Sequence, residues 1–230
     1  MMNPDEKDQV FPFEQRCAST FEEIQNSPEL TVWEARFGEI PKHLDDPGFV
    51  FESLAEDYDL PFGPAVQRYF FRFNRIVAYW QSTEPDSELV GEFQLTHLYS
   101  TRLMSHTWEG ADERERALYR ELRIFDDTPQ TGSGRLAALR ARSGTTDPEI
   151  WFFDTRQGAM EMDLDYATYL DTLLITKGTV GWQYLFIDAS VGDPGFTPVA
   201  QGVKEMLDTF PRLFPQHDYT DLQTRLRERM

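Results

Sequence analysis

Apolar residues recur at helical spacing early in the chain. Phe13, Cys17, Phe21 and Ile24 share one face of a helix predicted over 13 to about 29, which Pro28 closes. Residues 33–37 are too short a run to read as helix or strand. Pro41 and the cluster Asp45, Asp46, Pro47, Gly48 mark a loop. A second helix is predicted over 49–58, with Phe51, Leu54, Ala55 and Tyr58 on one face. After a turn at 59–64, Pro64 suits the start of a third helix. Val66, Tyr69, Phe70 and Phe73 would be its apolar stripe, and Asn74 lies near its end.

The pattern then shortens. Residues 77–80, 88–98 and 122–125 read as strands, with Val90, Phe93 and Leu95 as core positions in the second. Residues 108–121 are charged with sparse apolar positions, a loop or an exposed helix. Residues 126–134 read as a flexible loop by composition, and 135–142 fit a strand or a short helix. The clearest β signal is Ile150, Trp151, Phe152 and Phe153, followed by a turn at 154–158 and strict alternation over 159–164. This predicts a hairpin with Met160, Met162 and Leu164 on one face. Tyr166, Leu170, Leu173 and Leu174 then share a helical face, and Gly178 is a natural stop. Val203, Met206, Leu207 and Phe210 predict another helix, ended by Pro211 and Pro215. Asp218 could cap a last one.

These elements predict an α+β fold: a mixed or mainly antiparallel sheet flanked by helices, with helical extensions at both ends. Residues 1–12 are polar and expected to be flexible, and 13–230 to form one domain. No stretch of about 18 apolar residues is present, so no membrane span is expected. The single cysteine, Cys17, cannot form a disulfide within the chain. The first ten residues lack the basic and apolar regions of a signal peptide. Both point to the cytoplasm.

Charge sharpens the functional reading. The net charge is −18, from 40 acids against 22 bases, and residues 1–60 hold fifteen acids against four bases. Nucleic-acid and anionic-membrane binding need the opposite sign. A basic protein partner fits, although acidity also serves plain solubility.

Catalytic signatures are scarce. There is no Gly-x-Ser-x-Gly elbow and no His-Glu-x-x-His helix. Thr131, Gly132, Ser133 and Gly134 lack the Gly-Lys-Ser/Thr ending of a phosphate loop. His43, His97, His106 and His217 are scattered, so no metal or other cofactor is expected. Cys17 reads as a small buried hydrophobe. Carboxylates near strand ends — Asp126, Asp127, Asp154, Glu161 and Asp163 — are the candidates for contacting a partner, and could otherwise be a solvated face or a metal or acid/base site. Four of the five tryptophans are core candidates. Trp108, among polar and small neighbours, is the candidate interface anchor, with core packing as the other reading and the commoner fate of a tryptophan.

Several stretches resemble the SUKH superfamily, which includes the yeast cell-wall-synthesis regulator and many bacterial toxin-immunity proteins. Leu60-Pro61 and Tyr69 to Asn74 match in outline that family's early “Pro… Phe-x-x-Phe-x-x-Asn-Gly” pattern. Phe153, Asp154 and Gly158 match its “Phe-Asp-x-x-x-Gly” hairpin, and Tyr166 to Leu170 the helix that follows it. Thr176 to Phe186 looks like one bacterial branch. The likeness spans roughly 45–190; Arg75 stands where the pattern has glycine, and the chain extends further at both ends. The resemblance implies a non-enzymatic protein that binds and neutralises a toxin, often a nuclease. The alternatives are an adaptor or regulatory protein with another partner, and an enzyme using carboxylates or a metal.

Overall fold

A computed structural model describes residues 10–104 and 112–230. The chain has an α+β fold. Its elements are α1 (Pro12–Asn26), β1 (Leu30–Phe37), α2 (Pro47–Tyr58), α3 (Pro64–Gln67), β2 (Arg75–Ser82), β3 (Val90–Thr96) and β4 (Arg102–Leu103). There follow α4 (Glu113–Tyr119), β5 (Leu122–Asp127), β6 (Arg135–Arg140), β7 (Ile150–Asp154), β8 (Gly158–Glu161), α5 (Tyr166–Thr176), α6 (Thr197–Leu213) and α7 (Thr220–Arg229). The strands pair in the order β1-β2-β3-β5-β6-β7-β8, with β4 added beside β5, and every pairing is antiparallel.

Alternation along the strands sorts side chains onto two faces. Ala137, Leu139, Ile150 and Phe152 join the main core with α1, α5, α6 and α7. Ala138 and Phe153 point the other way, into a smaller cluster with Leu122 and Tyr119 of α4. Met162 is buried in the main core, with Met160 and Leu164 packed against it, as the alternation predicts, although β8 itself ends at Glu161. Gly91 pairs with Trp80, and a Cβ there would come within 2.2 Å of the indole. That buried indole donates from Nε1 to the Lys177 carbonyl at 2.7 Å, fastening α5 to β2.

Three sequence expectations give way to tertiary contacts. The third helix is one turn, not the long stripe expected. The backbone N–H of Arg72, which a longer helix would use internally, donates instead to Oε1 of buried Glu14 at 2.7 Å. The aromatics around it then reach different partners: Phe70 meets Phe11, Phe71 meets Phe13, and Phe73 stacks on Phe37. Pro211 does not end α6, which continues to Leu213. Proline has no N–H for the Leu207 carbonyl, and that carbonyl accepts from Nε2 of Gln223 on α7 instead. The loop at 128–134 is tied down rather than free, because the buried carboxylate of Glu92 accepts from the N–H groups of Gln130 and Thr131.

Among the described residues no helix is long and apolar enough to cross a membrane.

Candidate partner-binding site

The structure divides the predicted carboxylates into buried and exposed sets. Asp154 is fully buried at the end of β7. Register places Arg135 of β6 opposite it, and the guanidinium Nε lies 2.7 Å from Asp154 Oδ2. Tyr184 donates to the same oxygen at 2.8 Å, and the Arg156 N–H donates to Oδ1 at 2.7 Å. Asp154 thus closes the hairpin turn, where Gly158 takes φ 82°, and docks the 3-10 turn Trp182–Phe186.

Asp126 is also buried, and among the described residues no cation faces it. A bulge between Ile124 and Asp126 leaves Phe125 as an extra residue. Phe125 and Asp126 both reach Tyr169 of α5, the ring edge-on at 4.9 Å and the hydroxyl donating to Oδ2 at 2.7 Å. The Gln94 N–H donates to Oδ1 at 3.1 Å. Burial pushes the Asp126 carboxyl up to about 7; neighbouring Asp127 adds to this, and the Tyr169 and backbone bonds oppose it. Asp126 and Asp154 are therefore not available to a partner at the surface. Asp127 is half-buried and accepts from the Thr128 N–H.

Glu161 and Asp163 do come together at the surface. They line one wall of a cleft of about 530 Å³ at the β8 edge, with Asp188 and Glu228 also on its lining. All four carboxylates are exposed. The facing arginines are engaged already. Arg229 donates to the carbonyls of Tyr184 (2.9 Å) and Ile187 (3.0 Å). Arg225 lies over the Phe186 ring at 4.2 Å and bonds Asp221 at 2.8 Å, standing 3.6 Å from Asp163. An ion pair that long on a side chain 88% exposed holds little charge back. The Asp163 N–H donates to the Phe186 carbonyl at 2.7 Å, which sets the two walls at a fixed spacing. The cleft presents four exposed carboxylates as acceptors.

Trp108 lies outside the described residues. Trp80 and Trp182 are buried and Trp151 is half-buried, but Trp33 is 62% exposed, where a core position was expected. It sits at an irregularity of edge strand β1, between Val32 and Glu34. Edge position explains its exposure, and a run read as neither helix nor strand carried no signal of it.

Other titratable groups are structural. Cys17 is buried, which pushes its thiol up and away from thiolate chemistry. His97 is buried between Phe70 and Phe71, and its Nδ1 accepts from the Tyr99 N–H at 3.1 Å. Desolvation, with His43 adding to it, pulls its pKa down to about 4. Lys177, in the left-handed conformation beside Gly178, buries its ammonium against Glu23 and the Leu174 carbonyl; burial lowers its pKa. Among the described residues no three His, Cys, Asp or Glu side chains stand together where they could hold a metal ion. No family model matches this chain, and neither a curated protein nor a solved structure matches it.

Proposed function

We propose that this chain is a non-enzymatic binding protein that holds a basic protein partner, acting as an immunity-type protein that neutralises a toxin, such as a basic nuclease, in the cytoplasm. The observation that carries it is the cleft at the β8 edge, where Glu161, Asp163, Asp188 and Glu228 are exposed and the arginines are already committed. Such a surface accepts lysine and arginine side chains. The net charge of −18 favours the same partner by steering its approach. The SUKH-like stretches support the toxin-neutralising part of the reading.

The test is co-purification of the chain with its bound partner, followed by calorimetric titration with that partner at rising salt. Affinity should drop as salt rises, because screening weakens long-range attraction. The double substitution Glu161→Lys with Asp163→Lys should weaken binding about tenfold or more, consistent with the measured range for close charge pairs across interfaces. Salt-independent binding, or full affinity in the double variant, would sink the cleft's role.

A further inference from the structure

Helix α2 breaks an electrostatic rule that α7 keeps. In α7, Asp221 stands in the first turn and Arg227 and Arg229 in the last. In α2 the last turn contains Glu56 and Asp57, Asp59 follows at the cap, and no basic residue is present there. The C-terminal end of a helix carries partial negative charge, so acids at that end oppose it. Among the described residues Glu52, Glu56 and Asp57 have no ion-pair partner; the cation at this end, Arg123, lies over the Tyr58 ring at 5.0 Å instead.

The outer face of the same helix carries an apolar group. Val50 and Leu54 are buried, while Phe49 is 46% exposed. Spacing of i, i+3, i+4 and i+7 places Phe49, Glu52, Ser53 and Glu56 along one stripe. An exposed aromatic ring beside unpaired carboxylates joins an apolar anchor to a field of defined sign. A local rule broken without internal compensation marks a position where a function can hold the residues in place.

We propose that the outer face of α2, from Phe49 to Glu56, docks a lysine- or arginine-rich amphipathic segment of the protein partner. The partner's cations neutralise Glu52, Glu56 and Asp57, and its apolar side covers Phe49. This rests on the basic-partner reading above and adds a second contact face, on a different element from the cleft.

The experiment uses the full chain and a defined probe, a fluorescent amphipathic lysine/leucine helix of about 18 residues. Binding is read by anisotropy at physiological salt. Glu52→Lys with Glu56→Lys should weaken binding about tenfold, and Phe49→Ala about threefold, whereas Glu84→Lys with Asp86→Lys, an equal charge change outside both faces, should change it less than about twofold. Circular dichroism confirms that each variant is folded; all five positions are exposed, so their side chains carry little of the core. Wild-type affinity in the Glu52/Glu56 variant overturns the proposal. So does a loss there with none at Phe49, which reduces the face to bulk charge. A loss as large in the Glu84/Asp86 variant overturns the α2 face and leaves the basic-partner reading standing. No binding by the wild type up to about 100 μM overturns the α2 face, while the cleft keeps its own test above.

Discussion

Asp154 and Glu56 each stand at the end of a secondary-structure element, yet they meet opposite surroundings. Asp154 is sealed inside the sheet with Arg135, Tyr184 and a backbone N–H on its two oxygens. Glu56 lies in water at the wrong end of a helix, with no basic residue in its turn. Asp126 is the intermediate case, buried with a tyrosine and an N–H but, among the described residues, no cation. The difference is one of cost. A buried charge without compensation is expensive enough to shift its own protonation or unfold the protein. An exposed one costs tenths of a kilocalorie, which leaves room for placement by function.

The largest expected effect tests the compensated end of this series. Asp154→Ala leaves the Arg135 guanidinium, 7% exposed, without its carboxylate. Stability should fall by about 3–5 kcal/mol, read as a lower urea midpoint. A loss under about 1 kcal/mol would mean that the Gly195 carbonyl, which also accepts from Arg135, is partner enough, and the contrast would fail.

Asp126 sharpens the comparison through pH. Its carboxyl titrates near 7 when folded and near 4 when unfolded. Between those values the native state keeps a proton that the unfolded chain has lost, so stability falls as pH rises through this window, by on the order of 4 kcal/mol. His97 works against it. Its folded value is about 4, below the unfolded value, so its contribution is lost as pH falls through that range. The two slopes largely cancel in the wild type. Asp126→Asn removes one of them. The stability difference, variant minus wild type, should grow by about 3 kcal/mol between pH 4 and pH 8 in urea melts. A difference that does not change with pH would place the Asp126 titration elsewhere.

The smallest effect tests the exposed end. Glu56→Lys with Asp57→Lys should raise stability by about 0.3–1 kcal/mol per site, since cations suit the helix terminus. If the melting temperature falls instead, those acids serve the fold, and α2 is no longer the uncompensated member of the pair.

Much of the fold was legible because it is local. Cys17, Phe21 and Ile24 declare the buried face of α1 by spacing alone, and Met160, Met162 and Leu164 declare the inward face of the hairpin. The candidate site was legible only by halves. Glu161 and Asp163 stood out beside the hairpin, but Asp188, Glu228 and the arginines facing them arrive from the 3-10 turn region and α7, far along the chain. Asp126 and Asp154 looked like surface acids because a carboxylate in a strand reads as polar. Only the pairing of β6 with β7, and the packing of Tyr169 and Tyr184, show what surrounds them.

Residue spacing by itself determined the helices that bury one face, the antiparallel hairpin, the α+β class and the strongly negative field. Tertiary structure decided where competing demands met. Glu14 took the Arg72 N–H beyond the single turn of α3. Gln223 supplied the donor that let α6 run through Pro211. Position at the sheet edge left Trp33 in water. In each case the deciding partner is remote in sequence. Hydrogen-bond satisfaction and burial are properties of the assembled neighbourhood, which no local window contains.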